Sequence, residues 1–251
     1  MNFFLDMLPQ RAEKPRGNGL TMMMDKGLGL HAIEDLLDMS AQYIDVVKLG
    51  WATSYVTNKL GEKLRLYRHA NIPVYFGGTL FEVFLIRNQF DEFLRTLEKF
   101  DMTHCEISDG SMSIPHDKKC EYIYQVSKHV TVISEVGSKD AQNVYTPDEW
   151  VKYMQAELQA GSWKVIAEAR ESGSVGIYGD GGRVRDEVID SIVTNVPQDK
   201  IIWEAPHKEQ QAWFIKQLGA NVNLGNISCA DIIPLETLRL GIRSDTFDTF
   251  L

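Results

Sequence analysis

Little in this chain points to thiol or zinc chemistry. Its 251 residues include three cysteines, Cys105, Cys120 and Cys229, widely spaced and with no CxxC pair. That usage argues against a disulfide framework or a zinc site, and for reduced thiols in a cytoplasmic protein. Basic residues are in the minority, 26 against 35 acidic ones for a net charge of −9, and they form no dense cluster. A nucleic-acid surface, whose affinity would come from neutralising phosphates, is therefore not expected. No apolar run is long enough to span a membrane. The early apolar patch is interrupted by Asp6 and Pro9 and has no basic region before it, so no signal peptide is expected. GxSxG, HExxH, Walker and GxGxxG patterns are missing, and the six histidines have no ligand spacing.

What the chain does have is a repeated unit. Short apolar runs that end in charge or glycine alternate with segments of helical periodicity. The runs are Leu20 to Gly27, Tyr43 to Gly50, Pro73 to Thr79, His104 to Gly110, Val130 to Gly137, Trp163 to Arg170, Lys200 to Pro206 and Asn221 to Gly225. The helical segments predicted between them include 147–160, opened by Thr146-Pro147 with Asp148 and Glu149 in its first turn, and 208–218. Lys48, Gly77, Glu106 and Glu135 end successive strands 29 residues apart. Eight such units in a chain of this length predict one domain, a closed parallel (β/α)8 TIM barrel spanning 1–251. An open doubly wound sheet competes, but no glycine-rich fingerprint follows the first strand and polar strand ends occur almost all the way round.

In a barrel these strand ends meet at one rim. Glu106, Glu135, Glu168 and Glu204 each follow an apolar run, and four carboxylates so close cannot all stay ionised without a cation. Oxygen-only ligation favours Mg²⁺ or Mn²⁺ over zinc. The alternative is a buried ion network in which some of them pair with Lys26, Lys48 or Arg170. Lys139 adds a cation in the loop after the fifth strand, and Arg170 is followed by a Ser172-Gly173 turn. Asn223, Gly225 and Asn226, in the last units, are residues whose backbone amides could hold a phosphate after strands seven and eight or simply form a tight turn. Between the sixth strand and its helix, 174–182 holds four glycines in nine residues; it reads equally as a mobile loop over the barrel mouth or as a surface hairpin.

Several segments in order along the chain carry a further likeness. DKGL (25–28), YIDVVKLGWATS (43–54), GGTLFE (77–82), EISDGS (106–111), EVGSK (135–139), EARESG (168–173), EAP (204–206), VNLGNI (222–227) and LETLRLGIRSDTF (235–247) resemble the phosphosulfolactate synthase family. The resemblance implies a carbon-sulfur lyase on a (β/α)8 barrel, adding sulfite to phosphoenolpyruvate with Mg²⁺ to give 2-phospho-3-sulfolactate, at the start of coenzyme M or other sulfonate biosynthesis. It further implies metal binding by Glu106, Glu135, Glu168 or Glu204, Lys139 as the acid that protonates C2, Arg170 and Lys48 on the anionic groups, and Lys26, Ser172, Gly173, Asn223, Gly225 and Asn226 around the substrate. Departures from the family pattern are Ser138 in place of a lysine, Ala52 and Ala169 in place of glycines, and Gly225 in place of an alanine. A related Mg²⁺-dependent barrel enzyme using another nucleophile, or a non-catalytic stress-associated relative, would share much of this pattern. A homo-oligomer is expected, associating through outer helices.

Overall fold

The structure is a computed structural model that describes residues 2–137, 145–169, 176–179 and 184–251. Lys139, Arg170, Ser172 and Gly173, with most of the glycine-rich stretch 174–182, lie outside the described residues. Eight parallel strands, β1 (Thr21–Asp25), β2 (Val46–Leu49), β3 (Val74–Phe76), β4 (His104–Ile107), β5 (Thr131–Val136), β6 (Ser162–Ala167), β7 (Ile201–Glu204) and β8 (Leu224–Ser228), run in the order β3-β2-β1-β8-β7-β6-β5-β4. The sheet therefore curls into the predicted barrel, with one seam, β3 against β4, that no strand ladder joins. No helix of the described residues is long and apolar enough to cross a membrane.

Helices α1 (Leu30–Ser40), α3 (Leu60–His69), α5 (Phe90–Lys99), α6 (His116–Ser127), α7 (Pro147–Ala160), α8 (Asp186–Asn195), α9 (Lys208–Leu218) and α10 (Ile232–Arg239) pack around the strands. Two short ones were not anticipated, α2 (Thr53–Val56) and α4 (Gly78–Leu85); both follow strands directly at the C-terminal rim. The start of α7 is set by a capping box, with Thr146 accepting from Glu149 N and Glu149 returning to the Thr146 backbone.

Because side chains alternate along a strand, each one sends every second residue inward. Met22, Val46, Tyr75, Ile133, Ile166 and Ile202 form the dry inner layer. The outward set, including Met23, Val47, Ile107, Val165 and Trp203, joins the helices in the larger core. Under the inner layer the N-terminal segment plugs the barrel. Arg11 pairs with Glu236 at 2.9 Å and Arg16 with Asp45 at 2.8 Å, while buried Arg239 donates to the carbonyls of Ala220, Val222 and Leu20. These cations satisfy main-chain acceptors at the strand starts that would otherwise be orphaned.

Candidate active site

Two residues beyond the dry layer, on the same inward face, the chain places Lys48, Glu135, Glu168 and Glu204. The step from Val46 to Lys48, Ile133 to Glu135, Ile166 to Glu168 and Ile202 to Glu204 is the period-two alternation itself. Glu106, facing inward from β4, completes the ring. These side chains, with Met24, Trp51, Thr79, Ser111 and Asn226, line a cavity of about 500 Å³ at the C-terminal end of the barrel. All four glutamates and Lys48 are buried.

Lys48 sits among three of them. Its ammonium is 3.0 Å from Glu106 Oε2, 3.3 Å from Glu135 Oε2 and 3.5 Å from Glu204 Oε1. Glu106 Oε1 accepts from Gly78 N at 2.6 Å, and Glu204 Oε2 accepts from Ala169 N at 2.8 Å. Burial alone would lower the Lys48 pKa, but the charges of Glu106, Glu135 and Glu204 outweigh it and hold it well above its ordinary value. Burial raises the pKa of Glu106 and lifts that of Glu204 to about 7, with the negative charge of Glu135 adding to the effect and Lys48 opposing it. Tyr75, in the layer below, is kept protonated first by burial and then by Glu106. The site is thus short of positive charge.

That deficit bears on a metal. Among the described residues no group of three or more His, Cys, Asp or Glu side chains converges on a point that an ion could share, because the Lys48 ammonium stands between three of the candidates. The donors nevertheless suit a hard divalent cation in kind: carboxylate oxygens on the consecutive strands β4 to β7, buried, and two of them with raised pKa for want of a counter-charge. The ion network expected as the alternative is present, built on Lys48.

The remaining expected residues divide. Asn226 adopts φ +57° at the cavity wall, a conformation in which strain commonly marks a ligand contact, and its Oδ1 is buried without a hydrogen-bond partner among the described residues. Lys26 lies just beyond β1 at the rim, its ammonium 4.4 Å from the centre of the Trp51 ring. Gly225 is not at the rim. It faces inward, where an added Cβ would stand 2.5 Å from Met22 Cε and 2.9 Å from Ile202 Cγ2, so glycine there makes room for Met22. Asn223 is at the other end of the barrel. Its side chain accepts from Leu20 N and donates to the carbonyls of Asp199 and Ile201. Strand β8 begins three residues later than anticipated, and that offset carries Asn223 away from the site and brings Asn226 to it.

Sequence reasoning missed Glu82. It lies on α4, buried, and accepts from Ser108 Oγ and, at 2.9 Å, from Ser111 N, so it ties the loop after β4 across the β3/β4 seam. A lone glutamate in the apolar run TLFEVFL was the available signal. Also missed was Lys119, wholly buried on α6, which donates to Glu135 O at 2.5 Å and pairs with Asp109 at 2.7 Å and Glu157 at 2.8 Å. It anchors the strand end that presents Glu135. Asp25 is comparable on β1: its carboxylate takes Lys63, the Tyr67 hydroxyl and the amides of Gly27 and Leu28.

The profile of the (2R)-phospho-3-sulfolactate synthase (ComA) family matches residues 9–245. The chain belongs to this family. It is 42% identical over 250 residues to the phosphosulfolactate synthase of Bacillus subtilis (strain 168), covering 98% of this chain and 99% of that one. It is 40% identical over 252 residues to that of Methanothermobacter thermautotrophicus, covering 98% of each. In fold it is similar to 3-hexulose-6-phosphate synthase from Salmonella typhimurium, with a TM-score of 0.57 at 12% identity over 89% of this chain and 100% of the other. That last likeness concerns the barrel alone.

Proposed function

We propose that the protein is a lyase working in the synthetic direction, joining sulfite to phosphoenolpyruvate to give (2R)-2-phospho-3-sulfolactate. The observation that carries the reading is the acidic ring around Lys48 at the barrel mouth, in a chain whose family bears this activity by name. The sulfur lone pair of sulfite attacks C3 of the substrate, forming the C–S bond. The π electrons of the C2–C3 bond move onto the carboxylate, and C2 then takes a proton.

Negative charge grows on the substrate carboxylate during that attack, so a cation must meet it there. Lys48, its ammonium fixed by three carboxylates and protonated at neutral pH, is proposed to be that cation. Mg²⁺ would supply Lewis-acid stabilisation of the same charge, and Glu135, Glu168 and Glu204, which do not converge on one point without it, are the carboxylates proposed to hold it. Glu106, committed to Gly78 N and Lys48, orients the lysine.

Lys139 follows the end of β5 by three residues and is the proposed acid for C2. Arg170, Ser172 and Gly173 follow β6 and are proposed, with Lys26 and Asn226, to hold phosphate, carboxylate or incoming sulfite. Arg170 offers a planar fork suited to such anions.

The test is mass spectrometry of the protein incubated with phosphoenolpyruvate, sulfite and Mg²⁺. A product of the summed masses, lost on chelation with EDTA and in Lys139→Ala, supports the reading. Folded, metal-supplied protein that forms no adduct would sink it.

A further inference from the structure

Glu168 and Glu204 stand where the ladder of the barrel wall runs out. The last register pair between β6 and β7 is Ala167 with Trp203, so both acids lie one residue beyond it. Main-chain groups buried at that level must find partners other than the neighbouring strand.

The segment after β6 supplies them. Ile177 N donates to Glu168 O at 3.2 Å, and the Tyr178 hydroxyl donates to Glu204 O at 2.6 Å. Ala169 N, at the start of the same connection, donates to Glu204 Oε2 at 2.8 Å. Ala169 and Gly176 form an antiparallel bridge, as do Tyr178 and Val184, and Arg185 N closes on Ile177 O at 3.0 Å. An approach this close requires glycine: Gly176 is at φ +85°, and a Cβ there would collide with Glu168 O. Ile177 and Tyr178 are core residues, 0% and 2% exposed. The Tyr178 ring therefore packs in the outer core, while its hydroxyl reaches the main chain of a residue whose carboxylate lines the cavity. Glu204 is held through its carbonyl by Tyr178 and through its carboxylate by Ala169 N and Lys48.

We propose that Tyr178 is a positioning residue: its hydroxyl ties the end of β7 to the segment after β6 and so fixes the direction in which Glu204 presents its carboxylate to the cavity. The reaction that Glu204 serves rests on the synthase reading above; the tie itself does not. Y178F would keep the packed ring and leave the buried Glu204 carbonyl without this donor. At a reacting centre, a displacement of about 1 Å is enough to cost a large factor in rate.

The test uses the full chain and the variants Y178F and G176A, with thermal melts to establish folding. Hydrogen exchange read by mass spectrometry, without substrate or metal, should show the Ala169 and Ile177 amides exchanging about tenfold faster in Y178F, the scale of one buried hydrogen bond. The amides of β1 and β2 should not change. In turnover with phosphoenolpyruvate, sulfite and Mg²⁺, kcat should fall about tenfold while KM for phosphoenolpyruvate stays within about a factor of two. G176A keeps the hydroxyl but loses the close approach, and should reproduce both effects. Exchange unchanged at Ala169 and Ile177, or accelerated evenly over all eight strands, would overturn the proposal, and so would a wild-type kcat in Y178F. Either result with an active wild type leaves the synthase reading intact. If the wild type forms no adduct with sulfite, the synthase reading fails and exchange alone decides the tie, which local acceleration in both variants supports and its absence overturns.

Discussion

Lys48 and Glu106 are joined 3.0 Å apart inside the barrel, and the second oxygen of Glu106 is taken by the amide of Gly78 across the seam. Lys48 is therefore both the cation of the site and part of what holds β4 against the segment after β3. Lys48→Met should abolish synthase activity and destabilise the fold by about 3 kcal/mol at pH 8, since removing one partner leaves buried carboxylates uncompensated. Urea denaturation should show a smaller loss near pH 5, where those carboxylates can take protons instead.

Ala52 occupies a left-handed conformation in which its Cβ is a burden. Ala52→Gly relieves about 1 to 2 kcal/mol of strain and gives part of that back as greater freedom of the unfolded chain. Denaturant melts should show a gain of about 0.5 to 1 kcal/mol.

Lys119 is enclosed by Asp109, Glu157 and the Glu135 carbonyl. Lys119→Met keeps its length and removes its charge, leaving the buried Glu157 with His116 alone. A loss of about 3 kcal/mol in equilibrium unfolding is expected. A change below about 0.5 kcal/mol, typical of a surface substitution, would show that the network contributes nothing.

Lys164 enters the barrel from below, donating to the carbonyls of Gly17 and Asp199, and burial lowers its pKa to about 8, with Asp199 opposing and Lys200 adding to the shift. Between that value and its ordinary one the unfolded chain binds more protons than the folded protein, so this lysine makes stability rise with pH from about 8 upward. Because the side chain is buried, this slope should be measurable. Denaturation midpoints of the wild type against Lys164→Met, measured from pH 7 to 10, should differ in that slope.

Much of this could be read from residue order. The apolar strand ending in a glutamate is a local signal, and period-two alternation carries each of Glu135, Glu168 and Glu204 to the inner face without knowledge of its neighbours. Helices α7 and α9 have the expected bounds because a capping residue and a clear apolar stripe agree. Strand β8 slipped because Val222, Leu224 and Ile227 offer apolar residues in more than one register, and only pairing with β1 and β7 selects among them. Helix α4 was hidden because it begins inside the run that ends at Thr79, and α2 because four residues are too few to show a helical period. Lys63 and Lys119 look like ordinary solvated lysines on their helices. What draws them inward is a carboxylate or carbonyl 38 and 16 residues away in the chain, and no local pattern announces that distance. The Lys48 network shows the same limit: the sequence offered both a metal cluster and an ion network, and only spatial convergence puts an ammonium among three of the four acids.

The seam has a consequence for how this site can change over evolutionary time. Elsewhere around the cylinder, main-chain ladders hold strand to strand and leave inward side chains open to replacement. Between β3 and β4 that task falls on Glu106 and Glu82, through Gly78, Ser108 and Ser111. A substitution there alters chemistry and closure together. A substitution on β5 to β7 leaves the strand ladders beside it in place, while one at the seam touches the only side-chain ties described there.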